Sequence, residues 1–202
     1  MSLSCIEPSI YLASQSPRRR ELLQQIGVPH KVIDAPVVEI PRNHELPSEY
    51  VQRLACEKAK AGLLSVLAQC LTLKPVLGAD TIVLSEGNIL EKPHDANHGA
   101  AMLRRLAGAT HQVMTAVALA YEQQVVVKLS ITDVVFRPLS EAEISAYWLT
   151  GEPQDKAGGY AIQGLGAVFV QQIRGSYTGV VGLPIEQTVE LLAQYDINWW
   201  QK

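Results

Sequence analysis

Ile10-Tyr11-Leu12-Ala13-Ser14-Gln15-Ser16-Pro17-Arg18-Arg19-Arg20-Glu21-Leu22-Leu23 decides how the chain reads. An apolar run, a short buried strand, gives way to two serines and a proline. Three arginines follow, and then the Leu22, Leu23, Ile26 stripe of a helix. Ser16 suits the N-cap and Pro17 the first helical position, so free backbone N–H groups and the positive end of the helix dipole point out of this turn. Arg18, Arg19 and Arg20 add fixed positive charge within one helical turn. The combination fits a phosphate group.

Working outward, 202 residues suffice for one domain or two small lobes with a buried core. Charged residues make up 18%, below the roughly 25% usual for soluble domains, and the net charge is −3. That balance argues against a general nucleic-acid binder, and a local basic cluster in an acidic chain points to a small anionic ligand instead. Cys5, Cys56 and Cys70 are odd in number and show no CxxC spacing, which supports neither a disulfide framework nor a zinc site. The opening residues lack the features of a leader, and no apolar run reaches membrane-spanning length. The cytoplasm is the expected location, with no membrane or nucleic-acid partner.

Gly27-Val28-Pro29 closes the first helix and His30 to Ile33 reads as a second strand. Asp34 to Pro47, with three prolines and three carboxylates, is a loop in which Glu39 stands between Val38 and Ile40. Ser48 is expected to cap a long helix with the stripe Val51, Leu54, Ala55, Leu63, Leu64 and Leu67. Lys58 falls inside that stripe and either snorkels or reaches into a cleft.

Val76-Leu77-Gly78-Ala79-Asp80-Thr81-Ile82-Val83-Leu84 is a buried-strand pattern interrupted by an acid. A buried carboxylate is costly unless a cation answers it, so Asp80 marks a site. Gly78 and Ala79 are read as room for a ligand to approach the backbone. Ser85 to Asn88 is a hairpin turn leading to Lys92, which is placed within reach of Asp80. Asp95 caps a helix with Ala100, Leu103, Leu106 and Ala107 inward and Gly108 as its stop. His94 and His98 stand four apart, but a solvated first turn is the better reading because no third ligand has motif spacing.

Gln112 to Tyr121 and Val125 to Phe136 are strands, and apolar Val125-Val126-Val127 suggests a sheet covered on both faces there. Ser140 and Glu143 form a capping box with Leu139 and Ile144 as staple. Gly151 to Gly166, with five glycines and several charged or amide groups, reads as a permissive binding loop. Val168 to Ile173 is a strand, and a final amphipathic helix follows Val180 to Pro184. No linker or repeat divides the chain, so residues 1–202 read as a single α/β domain.

Together, Ser14-Gln15-Ser16-Pro17-Arg18-Arg19, Gly78-Ala79-Asp80-Thr81, Glu91-Lys92-Pro93, Gly151-Glu152-Pro153 with Asp155-Lys156-Ala157-Gly158, Ile162-Gln163-Gly164 and Val180-Val181-Gly182-Leu183-Pro184 resemble the signature series of the Maf family, in the family's order and across nearly the whole chain. The resemblance implies an α/β fold with a mixed, strongly twisted sheet flanked by helices, two lobes around a deep cleft, and a homodimer. It implies a nucleoside triphosphate pyrophosphatase that uses Mg²⁺ or Mn²⁺. Arg19, Thr81 and Gln163 match the branch acting on dTTP and UTP, whereas the 7-methyl-GTP branch tends to carry Trp, Gln and Glu there. Two positions depart from the family pattern: Val38 stands where Asp often precedes the Glu, leaving one carboxylate fewer, and Gly179 stands where an Asn is frequent.

On this reading Ser14, Ser16, Arg18 and the helix N-terminus grip the triphosphate, with Lys58 and Lys92 adding charge. Asp80 is the general base assisted by Glu39, Lys92 belongs to the catalytic set, and Glu39 and Asp80 hold the metal. Arg19, Thr81, Asp155, Lys156 and Gln163 complete the substrate contacts, with Gln163 on the pyrimidine edge. The rival expectations are a nucleotidyltransferase and a nucleotide-sensing regulator of septum formation without turnover.

Overall fold

The computed structural model describes residues 7–200. Cys5 and the opening residues read for a leader lie outside them. The elements alternate strand and helix up to β3 and then include hairpins: β1 (Ile10–Leu12), α1 (Pro17–Gln25), β2 (His30–Val32), α2 (Pro47–Ala68), β3 (Val76–Ser85), β4 (Asn88–Leu90) and α3 (Ala96–Leu106). Then come β5 (Thr110–Tyr121), β6 (Gln124–Phe136), α4 (Glu141–Leu149), three 3₁₀ turns (Glu152–Asp155, Ala157–Gly159, Leu165–Phe169), β7 (Val170–Arg174), α5 (Tyr177–Val181) and α6 (Ile185–Ala193).

Among the described residues seven strands form one sheet in the order β2-β1-β3-β5-β6-β7, with β4 paired to β3. β1 pairs parallel with both β2 and β3, while β3–β4 and β6–β7 are antiparallel, so the sheet is mixed. Flanked by two parallel neighbours, β1 is buried throughout, which is why it is apolar at every position. No helix of the described residues is long and apolar enough to cross a membrane.

The chain divides into two compact units; three of the four boundaries fall inside strands β3, β5 and β6, and the fourth at the end of α5. The first unit comprises Met1–Asp80, Ala116–Leu129 and Gly182–Lys202, the second Thr81–Thr115 and Ser130–Val181. In the first, Ile10, Leu12, Leu23, Leu54, Leu77 and Leu191 are fully buried. The helix α2 starts two residues earlier than expected: Pro47 takes the first helical position, and the Glu49 carboxylate accepts from Leu46 N–H at 3.2 Å, so Ser48 is not the cap. Its inward face also differs. Leu64 and Leu67 are exposed, and the stripe continues instead through Ala59, Gly62, Leu63 and Val66.

The small residues there permit close approach. A Cβ on Gly78 would lie 2.5 Å from both the Ala55 carbonyl oxygen and the Ala59 nitrogen, so β3 runs hard against the backbone of α2. Gly78 is therefore not an opening for a ligand; α2 already fills that space. Val125, Val126 and Val127 are half-buried rather than covered on both sides.

The second unit has its own core, built around Phe136, Leu103, Leu106, Ile144 and Tyr160. Asp95 caps α3 by accepting from His98 N–H at 2.7 Å, and Ser140 with Glu143 forms the capping box of α4. The hairpin between β3 and β4 turns through Glu86 and Gly87, with φ of 48° and 76°, the pair of positive values a type I′ turn needs. β7 begins at Val170 because Leu165–Phe169 winds as a 3₁₀ turn. The stretch 151–166 uses its glycines as a permissive backbone, with positive φ at Gly151, Gly158 and Gly159, while 3₁₀ turns and a carboxylate clamp hold it in shape.

Candidate active site

The strand-to-helix turn that follows β1 brings Ser14, Ser16, Arg18 and Arg19 together in the first unit. Ser16 sits at the N-cap of α1 in extended conformation, but its side chain makes no capping bond; instead its N–H donates to Ser14 Oγ at 3.3 Å. Arg19 donates from Nη1 to the same Ser14 oxygen at 3.0 Å and from Nε to the Gly182 carbonyl at 2.8 Å. With both lone pairs of Ser14 accepting, its O–H is what remains to offer, and a hydroxyl donor suits an anion. Burial pushes the Arg19 guanidinium below its ordinary value, and the charge of Arg18 adds to that, while Asp80 and Glu39 oppose it. Arg20 is exposed.

Lys58 points from the inward face of α2 to Asp80 on β3, so it reaches into the site rather than snorkelling. Its Nζ lies 2.6 Å from Asp80 Oδ1 and 2.6 Å from Glu39 Oε1. Lys58 and Asp80 have side chains 13% and 9% exposed, against 48% for Glu39, so this is a mostly desolvated ion pair with a solvent-facing third member. Burial raises the Asp80 carboxyl above its ordinary range; Lys58 and then Arg19 pull it back, and Glu39 pushes it further up. A carboxylate lifted toward neutrality is a better proton acceptor than one held strongly acidic.

The loop carrying Glu39 is pinned to α2 by a residue that sequence reasoning passed over. Arg53 donates to the Glu45 carboxylate with Nε at 2.5 Å and Nη2 at 2.7 Å, and Nη2 also reaches the Ile40 carbonyl at 3.1 Å. This fork depresses the Glu45 carboxyl to about 2. The only sequence signal was an acid eight residues before an arginine across a helix start.

In the second unit, Thr81 follows Asp80 on β3 and is bonded to Thr115 at 3.0 Å. Lys92 is exposed just beyond β4. Lys156 is paired with its neighbour Asp155 and also donates to the Glu152 carbonyl at 3.3 Å. Gln163 is exposed at the tip of a turn in which Gly164 N–H donates to the Ala161 carbonyl at 3.2 Å. Both ends of that turn are tied to one carboxylate. Tyr147 O–H donates to Glu152 Oε1 at 2.6 Å, Ala161 N–H donates to Tyr147 Oη at 3.1 Å, and Leu165 and Gly166 N–H donate to the two Glu152 oxygens at 2.9 Å each.

A divalent cation has a chemically suitable donor set in Glu39 and Asp80. Both carboxylates aim an oxygen at one point, the Lys58 ammonium, and two hard oxygens fit a cation that completes its shell with water and phosphate. Among the described residues no three His, Cys, Asp or Glu side chains gather as a metal cage would. His94, just before the Asp95 cap, and His98, in the first turn of α3, lie 4.0 Å apart between ring centroids with their planes tilted by 41°.

Comparison with known proteins identifies the family. A family model described as Maf-like protein matches residues 9–195. The dTTP/UTP pyrophosphatase of Saccharophagus degradans is 57% identical over 192 residues, covering 95% of this chain and 91% of that protein. Those of Shigella dysenteriae serotype 1 and Escherichia coli K12 are 55% and 54% identical over 188 residues, covering 93% of both chains. With its signature motifs in order and a matching model over nearly its full length, the chain belongs to the family of Maf-like proteins.

Proposed function

We propose that this Maf-like protein hydrolyses dTTP and UTP to the nucleoside monophosphate and pyrophosphate, as a house-cleaning enzyme of the cytoplasm. The names of its close relatives support the substrate. The observation that carries the chemistry is the buried Asp80 carboxylate, raised by burial and bonded to Lys58, in the same compact unit as the Ser14–Arg19 turn.

The residues act as follows. Ser14, Ser16, Arg18 and the N-terminal N–H groups of α1 bind the triphosphate oxygens, and Lys58 and Lys92 add positive charge. Asp80 takes a proton from a water whose oxygen attacks the α-phosphorus; the bond to the bridging oxygen breaks and pyrophosphate leaves. Glu39 assists by raising the basicity of Asp80. Glu39 and Asp80 would hold Mg²⁺ or Mn²⁺, which when bound neutralises phosphate charge and acidifies water. Thr81 and Gln163 meet the pyrimidine, and Arg19 supports base choice while holding Ser14 to Gly182. Asp155 and Lys156 complete the substrate contacts, and the enzyme works as a homodimer.

The decisive measurement is pyrophosphate release by Asp80→Asn beside nucleotide binding. Retained binding with almost no release supports the assignment; release at the wild-type rate sinks it. Release of monophosphate and pyrophosphate without any acceptor separates the hydrolase from a nucleotidyltransferase.

A further inference from the structure

Thr115 lies in β5 with 1% exposure, too buried to meet a ligand itself. Its Oγ1 is 2.7 Å from the Gly179 carbonyl oxygen and 3.0 Å from Thr81 Oγ1. A hydroxyl has one hydrogen, and a carbonyl can only accept. The hydrogen of Thr115 therefore goes to Gly179, and in the contact between the threonines it is Thr81 that donates. The opposite assignment would press two lone-pair-bearing oxygens together at 2.7 Å in a buried place. The Gly179 peptide is itself fixed: its N–H donates to Ser176 Oγ at 3.0 Å, and Ser176 N–H donates to Thr132 Oγ1 at 2.9 Å. A Cβ at position 179 would approach Ser130 Oγ at 3.0 Å and Ser176 Cβ at 3.1 Å.

The consequence falls on Thr81. With its hydrogen directed at Thr115, it meets every other partner, protein or ligand, as an acceptor. Gln163 cannot provide such a fixed polarity. An amide carries an acceptor and a donor side by side, and a half-turn exchanges them. One orientation matches the N3–H and O4 of uracil or thymine, and the other matches the bare N3 and the amino group of cytosine equally well.

We propose that Thr115 is a positioning residue for base choice: by bonding the Gly179 carbonyl it fixes the Thr81 hydroxyl as an acceptor, which an imide N–H of thymine or uracil satisfies and the bare ring nitrogen of cytosine does not. The inference rests on the proposed function only in taking Thr81 as a contact to the base.

The test uses the full chain and two readouts. Dissociation constants for dTTP, dCTP and N3-methyl-dTTP are measured calorimetrically with chelator present, and pyrophosphate release is measured in parallel with Mg²⁺. N3-methyl-dTTP should bind and turn over as poorly as dCTP, about tenfold or more below dTTP. Thr115→Val should narrow the dTTP-to-dCTP ratio of kcat/KM by about tenfold, and Thr115→Ser, which keeps the hydroxyl, should restore it. Handling of N3-methyl-dTTP like dTTP overturns the inference, as does a wild-type ratio in Thr115→Val. If Thr115→Val does not fold, Thr115→Ala carries the same dTTP-to-dCTP comparison, and a wild-type ratio in it overturns the inference. The expected binding order without any pyrophosphate release would sink the hydrolase reading while upholding the acceptor polarity of Thr81.

Discussion

Gly164→Ala isolates the clamp that Glu152 forms under the Gln163 turn. A Cβ at Gly164 would lie 2.1 Å from Glu152 Oε2 and 2.7 Å from its Cδ. The backbone at Gly164, with φ −114°, lies outside the left-handed region, so no positive-φ strain is added to that contact. The carboxylate must swing away and release Leu165 and Gly166 N–H. Hydrogen bonds to a charged acceptor contribute about 1.5 kcal/mol each at the low end, which suits a half-exposed carboxylate, and two of them give about 3 kcal/mol. Urea denaturation of Gly164→Ala, Glu152→Ala and the double variant measures this as a coupling energy. In the Glu152→Ala background Gly164→Ala should cost less than about 1 kcal/mol, because the obstructing oxygens are gone. Equal costs in both backgrounds would refute the clamp. KM for dTTP should rise with the loss, since Gln163 rides on the same turn.

Lys58→Met leaves two carboxylates facing each other without their cation, which should lower stability by about 3 kcal/mol and push the Asp80 carboxyl still higher. The acid limb of the pH–rate profile then moves to higher pH, and an unmoved limb contradicts the role of Lys58. Acid should destabilise the fold through three groups. Glu45 and Glu143 are depressed to about 2 by hydrogen bonds from Arg53 and Arg137, so their stabilisation is present above 4.5 and lost as pH falls toward 2. Buried His111 is lowered to about 4 by desolvation, so it too binds its proton more weakly when folded, and destabilisation begins as pH drops below 6.5. Urea midpoints between pH 7 and 2 should fall steadily, less steeply for Glu143→Gln; a midpoint that holds or rises on acidification contradicts all three assignments.

Much of this was legible because local chemistry and tertiary need coincided. The all-apolar β1, the Pro17 start of α1, the Ser140–Glu143 box and the acid inside β3 each state in a few residues what the structure does with them. The misreadings occur where the partner is remote or the residue small. Leu64 and Leu67 look like core, yet Ala59 and Gly62 carry the contact, because β3 approaches α2 too closely for larger side chains. Ser48 looked like a cap because serine is a good one, but Pro47 claims the first helical position and Glu49 supplies the bond. Glu152 was one charge among several, since its partners at Leu165 and Gly166 lie 13 and 14 residues on and only the fold brings them under it. Thr115 gave no signal, because a hydroxyl's meaning lies in where its single hydrogen points.

The Lys58 ammonium between Glu39 and Asp80 also separates assembly of the site from loading of the site. Two acids brought this close would ordinarily repel until an ion from solution joined them, and folding would then depend on the supply of that ion. Here the chain carries its own counterion on a long, hinged stem. If Glu39 and Asp80 hold the cation as proposed, a divalent guest would enter by exchange with that tethered charge rather than by completing an unfinished fold.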